Sequence, residues 1–267
     1  MPPTLKTPPM PVSQDTVSPL RLVVYADPKV GKTSLGLTFP RPLIVNTDFG
    51  LEGDALKQLA DVGGAEVRPE GFKDLEGLYF YIRDHSDDYD TIFIDSGDEL
   101  IRMLLDEVVK EGAGGRSGSN SGALGQTFFD VVPEQAEYLA NQHQMNRILT
   151  DLRRLNKHMV ISFGVREGAG TQGRASYNTS PGLQKPVMHF ASVIARMLVA
   201  PSDFAGDAEG AAYKKGDRLL LTDAGSTTSM VGTRYAVLSP YVVNPTFDKL
   251  WTAIRPATDT PLEGDSK

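Results

Sequence analysis

The sequence predicts a three-layer α/β domain built on a mostly parallel central sheet. Three observations point there. Apolar, β-branched runs at residues 20–25, Pro42–Asn46, Thr91–Asp95 and residues 159–163 read as strands buried on both faces. Between them lie segments with apolar stripes at helical spacing, and strand–helix alternation implies parallel strands with helices on both faces. The third observation is local. Residues 26–33 read Ala-Asp-Pro-Lys-Val-Gly-Lys-Thr, the [Ala/Gly]-x4-Gly-Lys-[Ser/Thr] pattern of a nucleotide-phosphate loop, set between a strand and a helix.

The elements follow in order. Residues 34–39 start a helix that Pro40 stops. Residues 51–60 are helix-compatible and 65–68 form a short strand. Residues 72–85 carry a helical stripe at Phe72, Leu75, Leu78, Tyr79 and Ile82. A helix over 98–111 places Leu100, Ile101, Leu104, Leu105, Val108 and Val109 on one side. Residues 112–126, rich in glycine and serine, form a loop. A long helix over 133–157 begins with Pro133 in its first turn. After the strand at 159–163 comes a second polar, glycine-rich loop over 164–182. Strands at 193–200, 218–222 and 235–238 precede a closing helix, Phe247–Ile254. Proline-rich residues 1–19 read as a flexible lead-in, residues 20–255 as the core, and residues 256–267 as a disordered acidic tail.

In the phosphate loop the chemistry is explicit. Backbone N–H groups at Val30, Gly31 and Lys32 are expected to wrap a β-phosphate, helped by the dipole of the next helix. Lys32 reaches the β- and γ-phosphates, and Thr33 ligates Mg²⁺. The nucleotide-contact stretch is Asp27, Pro28, Lys29, Val30, Gly31, Lys32, Thr33 and Ser34. Gly31 leaves room that a Cβ would fill. Ala26 replaces the usual first glycine, which requires a negative φ there.

Bulk properties exclude several classes. The chain has 267 residues, 40% hydrophobic and 23% charged, and carries a net charge of −7. No apolar run approaches the ~20 residues of a membrane helix. The absence of cysteine excludes disulfides, thiolate metal sites and Cys nucleophiles, and fits a cytoplasmic protein. His85, His143, His158 and His189 have no metal-ligand spacing and read as surface or packing residues. With a negative net charge, contact with nucleic acid requires a local basic patch.

A phosphate loop that supports hydrolysis needs a second carboxylate near the metal, at the end of a buried strand. Asp95 ends such a strand, with Ser96 placed to cap the next helix; the alternative role for Asp95 is that of a helix N-cap. Asp48, in Asn-Thr-Asp-Phe-Gly at 46–50, stands at another strand end facing the same crevice. It can orient the attacking water, or simply form a turn before Gly50.

Four stretches in order (residues 23–34, 42–48, 90–96 and 188–193) together resemble the RecA/KaiC-like core ATPases. Within that group the likeness is to short phage-encoded AAA-type nucleotide-binding proteins and single-strand-annealing recombinases. The resemblance implies a RecA-like P-loop NTPase core using ATP and Mg²⁺. It implies a water-activating role for Asp48, one methylene shorter than the family's usual Glu. It also implies two DNA-contacting loops, placing Arg116 in the first and Arg166, Arg174 and Tyr177 in the second, with Lys185 just beyond. These cations can neutralise phosphates, and Tyr177 can stack on a base. The family's polar residue linking phosphate to DNA, often Gln, is replaced near its place by Phe163-Gly164. Arg234 resembles the basic residue that related ATPases extend to a neighbour's γ-phosphate, a role that implies a ring or filament; a surface arginine is the other reading.

The leading expectation is an ATP-dependent protein that binds single-stranded DNA and promotes recombination or annealing. Expected partners are further copies of itself and a single-strand-binding protein; no membrane is involved. A helicase or helicase loader, and a nucleotide-binding scaffold with little turnover, are the alternatives. A metabolite kinase is disfavoured, because no arginine-rich lid segment is evident.

Overall fold

A computed structural model describes residues 18–115, 133, 135–168, 174–200, 213–222, 228–235 and 238–254. The expected lead-in (apart from residues 18 and 19), the acidic tail, and most of the first glycine-rich loop with Arg116 lie outside the described residues. The strands are β1 Arg21–Tyr25, β2 Pro42–Asn46, β3 Ala65–Val67, β4 Thr91–Asp95, β5 His158–Phe163, β6 Val165–Arg166, β7 Ser176–Tyr177, β8 Val193–Val199, β9 Arg218–Leu221, β10 Gly232–Thr233 and β11 Tyr241–Val243. The helices are α1 Lys32–Gly36, α2 Asp54–Asp61, α3 Phe72–Asp84, α4 Gly97–Gly115, α5 Gln135–Arg154, α6 Pro181–Phe190 and α7 Phe247–Ile254.

Among the described residues the main sheet has nine strands, ordered β11-β9-β8-β1-β5-β4-β2-β3, with β10 pairing β8. The run from β8 to β3 is parallel. Strands β9, β10 and β11 add antiparallel pairings at one side. The mostly parallel sheet expected from the sequence is therefore present, with an antiparallel margin.

Period-two alternation distributes the apolar side chains between two cores. Val23, Tyr25, Ile92 and Ile94 face α3, α4, α5 and α6. Leu22, Val24 and Phe93 face Leu35, Phe39 and the apolar stripe of α7, Phe247, Leu250 and Ile254. Each fully buried aliphatic side chain contributes about 1.5–3 kcal/mol. The exposed Arg41–Asp90 pair, at 2.7 Å, is screened by water and contributes little. Burial therefore decides the architecture. Among the described residues no helix is long and apolar enough to cross a membrane.

Several sequence expectations need correction. Helix α4 runs on through Gly115, so the first loop cannot begin at 112. Within the second loop, whose residues 169–173 lie outside the described residues, β6 and β7 pair antiparallel as a small two-stranded sheet. Of the strand expected at 235–238, residues 236 and 237 lie outside the described residues, and Tyr235 and Leu238 belong to no strand; β10 lies before it and β11 after it. Glycine-rich polar segments read as loops because local propensity cannot report the backbone pairing that organises them.

Helix α1 is only five residues long and packs tightly on β4. A Cβ built on Gly36 would lie 2.1 Å from Phe93 Cε1, whereas one built on Gly77 in α3 meets nothing within 4 Å. Gly36→Ala is therefore expected to cost about 1–3 kcal/mol through overpacking. Gly77→Ala should instead gain up to ~1 kcal/mol in helix propensity. Urea unfolding of the two variants checks both signs.

Candidate nucleotide site

The carboxyl ends of β1, β5, β4 and β2 meet along one edge of the sheet, where ligands bind in open α/β folds. Strand β5 lies between the strand that leads into the phosphate loop and the strand that ends in Asp95. Its register sets Val24 beside Ser162 and Ile94 beside Ile161, which brings Ser162 next to Asp95.

The loop from β1 to α1 turns on two left-handed residues, Lys29 at φ 66° and Gly31 at φ 111°. Gly31 is thus demanded by conformation, and its free space is taken up by a side chain from β9. A Cβ there would lie 2.7 Å from Arg218 Nε. Ala26 avoids positive φ, as its substitution for glycine requires, and is fully buried. The short α1 limits the expected helix dipole to its first-turn N–H groups, which have no intrahelical partners. Lys32 Nζ donates to the carbonyls of Ala26 at 3.1 Å and Asp27 at 3.3 Å, folding back over the loop.

Asp95 is 8% exposed. Thr33 Oγ1 donates to its Oδ2 at 2.7 Å, and Ser162 Oγ donates to its Oδ1. Burial pushes its carboxyl above the ordinary aspartate range, and Asp48 pushes the same way; the two hydroxyls and Lys32 oppose them. Asp98, in the first turn of α4, is likewise raised by burial and opposed by the Gly164 N–H, Asn178 and Lys32. Its Oδ2 accepts from Gly164 N at 2.7 Å. The Asp48 carboxylate accepts from Gly50 N at 2.9 Å, the turn bond considered for it, yet lies near enough to Asp95 to affect its charge.

These groups can hold a hydrated divalent cation only together with substrate. Among the described residues no three His, Cys, Asp or Glu side chains are grouped to bind a metal. One carboxylate and one hydroxyl, both hard oxygens, fit Mg²⁺, which keeps waters and shares phosphate oxygens. Thr33 and Asp95 are the residues that would hold it.

Structure brings Lys32, Thr33, Asp95 and Asp48 together. It does not bring Arg234. That residue donates its backbone N–H to Ser192 O, and Ser192 N donates to Arg21 O at the opposite end of β1. The Arg234 guanidinium donates to His189 O at 2.9 Å. Arg234 cannot reach its own chain's phosphate loop. Arg166 is on β6, bonded to Thr179 O at 3.2 Å, and Arg174 leads into β7. Lys185 lies elsewhere, lining a groove between α5 and α6 with Arg153 and His189. The base-stacking role of Tyr177 is corrected. Its ring is fully buried against Tyr25 and Phe163, and its hydroxyl donates to Gln184 O at 2.7 Å.

Sequence reasoning missed Ser162 and Asp98. The signal for Ser162 was a lone hydroxyl in an apolar strand. The signal for Asp98 was an acid three residues past Asp95, which reads equally well as a first-turn helix acid.

Asp95→Asn separates stability from chemistry. A carboxyl with a raised folded pKa binds its proton more tightly in the folded chain. Stability is therefore lost as pH rises from the ordinary aspartate range, about 4, through the raised value. In thermal melts without nucleotide, Asp95→Asn is expected to melt higher than the parent at neutral pH, the gap narrowing toward pH ~4. The same variant is expected to lose ATP hydrolysis. An unchanged gap across pH would contradict the burial argument.

No curated protein matches the chain. Among solved structures, the crystal structure of the RadB recombinase matches with a TM-score of 0.44 at 14% identity, covering 76% of this chain and 80% of that one. A family model described as an AAA domain matches residues 18–230. That match takes in the phosphate loop and every strand from β1 to β9, so the chain belongs to the AAA domain family.

Proposed function

We propose that this protein is a Mg²⁺-dependent ATPase that binds single-stranded DNA and acts in recombination or strand annealing. The observation that carries the ATPase reading is the contact between Thr33 and Asp95 beneath the phosphate loop. It joins the loop to a buried carboxylate at the position where a phosphate-bound cation is held. Bound Mg²⁺ would neutralise charge on the β- and γ-phosphates. The chain's own residues do the rest. Lys32 exchanges its two carbonyl partners for phosphate oxygens. Ser162 fixes the Asp95 carboxylate so that it faces Thr33. Asp48 is the candidate for orienting water.

The DNA reading is supported by the β6–β7 hairpin. It carries Arg166, and Arg174 leads into its second strand. Its base is tied to the nucleotide edge through Asp98 and Gly164, and Asn178 N donates to Gly164 O at 2.9 Å. Nucleotide and hairpin therefore share a hydrogen-bonded junction. Arg234 is kept as a candidate for contact with a neighbour's γ-phosphate in an assembled form.

A second reading, a nucleotide-binding scaffold with little turnover, is favoured by one observation. The Asp48 carboxylate is already engaged by the Gly50 N–H in its own turn.

The deciding experiment is an ATPase assay with and without single-stranded DNA, run beside a mass measurement with ATP. Lys32→Ala is expected to abolish turnover while its thermal melt stays cooperative. DNA-stimulated turnover in the parent selects the first reading; tight ATP binding without stimulation selects the scaffold. Arg166→Ala with Arg174→Ala is expected to weaken single-strand binding and to lower its log–log salt slope by up to about 1.4, two phosphate contacts at ~0.7 each. An unchanged slope would remove the hairpin assignment.

A further inference from the structure

We propose that Arg218 is a second cationic ligand for the nucleotide's phosphates, supplied by the same chain and reaching the loop from β9. The inference rests on the phosphate-loop reading above and adds a residue to that site.

The carrying observation is contact. A Cβ on Gly31 would lie 2.7 Å from Arg218 Nε, 2.9 Å from Cζ and 3.2 Å from Cδ. The guanidinium therefore rests against the α-carbon around which the loop's N–H groups gather. Topology explains how it gets there. Strand β9 runs antiparallel to β8, with Arg218 opposite Val199. The first residue of β9 thus lies at the carboxyl edge of the parallel strands, level with the phosphate loop.

Its backbone is fixed from both sides. Arg218 N donates to Asn244 Oδ1 at 2.9 Å, and Asn244 N donates to Arg218 O at 2.6 Å. Asn244 Nδ2 also binds Asp217 at 2.9 Å, and Lys249 Nζ binds the Asn244 carbonyl at 2.9 Å. The stem is anchored while the side chain remains exposed.

Electrostatics identify the ligand. Among the described residues the Arg218 guanidinium forms no ion pair with a carboxylate. From β9 it rests on Gly31, next to Lys32 and to the uncapped first-turn N–H groups of α1, an arrangement of like partial charges. Such a cluster becomes favourable when a polyanion lies between its members. A guanidinium fork matches phosphate oxygens in a bidentate manner that an ammonium does not. Arg218 escaped the sequence reading because it stands at the start of an unremarkable strand about 185 residues beyond the loop.

The test is a fluorescence titration of the full chain with a mant-labelled ATP, with inorganic tripolyphosphate as competitor. Thermal melts run alongside, and Lys32→Ala is the reference. Arg218→Ala is expected to melt like the parent and to weaken ATP binding ~10–100-fold, the range of one charge-assisted contact. Tripolyphosphate competition should weaken by a similar factor, and Arg218→Lys should recover part of the loss. ATP binding indistinguishable from the parent would overturn the proposal. So would a loss for ATP with unchanged tripolyphosphate competition, which would place the contact on the base or ribose. If Lys32→Ala loses binding and Arg218→Ala does not, this assignment alone falls. If the parent binds neither ligand, the phosphate-loop reading falls and takes Arg218 with it.

Discussion

A buried carboxylate organises this molecule. Asp95 lies in a position where its charge is poorly solvated, and burial alone would drive it toward the protonated form. What holds it is a pair of hydroxyl donors, Thr33 and Ser162. In the β1-β5-β4 order one comes from beyond the central strand and the other from the central strand. Thr33 follows the loop after β1, whereas Ser162 belongs to β5 itself. Inserting β5 between the other two strands is therefore what lets one side chain sense both the loop and the sheet. A one-residue slip of β5 would turn Ser162 to the other face and leave the carboxylate half-satisfied.

The same edge ties the site to the β6–β7 hairpin. Tyr25, the last residue of β1, donates its hydroxyl toward Ala175 O at 3.2 Å and Met230 O at 3.1 Å. Burial pushes that phenol up to about 12, so it stays a donor at any physiological pH. Tyr177 packs on Tyr25 edge-on at 6.1 Å. Asp98 accepts from Gly164 at the start of the hairpin. Aromatic packing and one charge-assisted hydrogen bond thus link the end of the phosphate-loop strand to a basic hairpin. Phe163 and Gly164 carry no polar side chain for such a link; the backbone of Gly164 and the side chain of Asp98 form it instead.

Charged groups gather at both edges of the sheet. Carboxylates 48, 95 and 98 collect at the carboxyl edge around Lys32. At the amino edge, Arg21 is held below the usual guanidinium range by burial and by Arg153 and Arg234. Arg21 and Arg234 both donate to carbonyls at the end of α6, Phe190 O and His189 O. Cations at a helix C-terminus are locally favourable. That gives Arg234 a structural role within its own chain.

The sequence by itself determined the parts whose signal is local. The phosphate loop was legible because its glycine, lysine and threonine occupy fixed offsets between a strand and a helix. The strands β1, β2, β4 and β5 were legible because burial on both faces leaves continuous apolar runs. Only the tertiary structure decided which distant residues join that site. Ser162 and Arg218 reach it through strand order and register, and nothing in a residue's own neighbourhood encodes either; Asp98 stands three residues past Asp95, but its bond to Gly164 depends on the same packing. Tyr177 makes the same point in reverse. In a polar, glycine-rich stretch it reads as an exposed ring, yet pairing of β6 with β7 turns it inward, because the free energy of burying an aromatic side chain outweighs the polar character of its sequence neighbours.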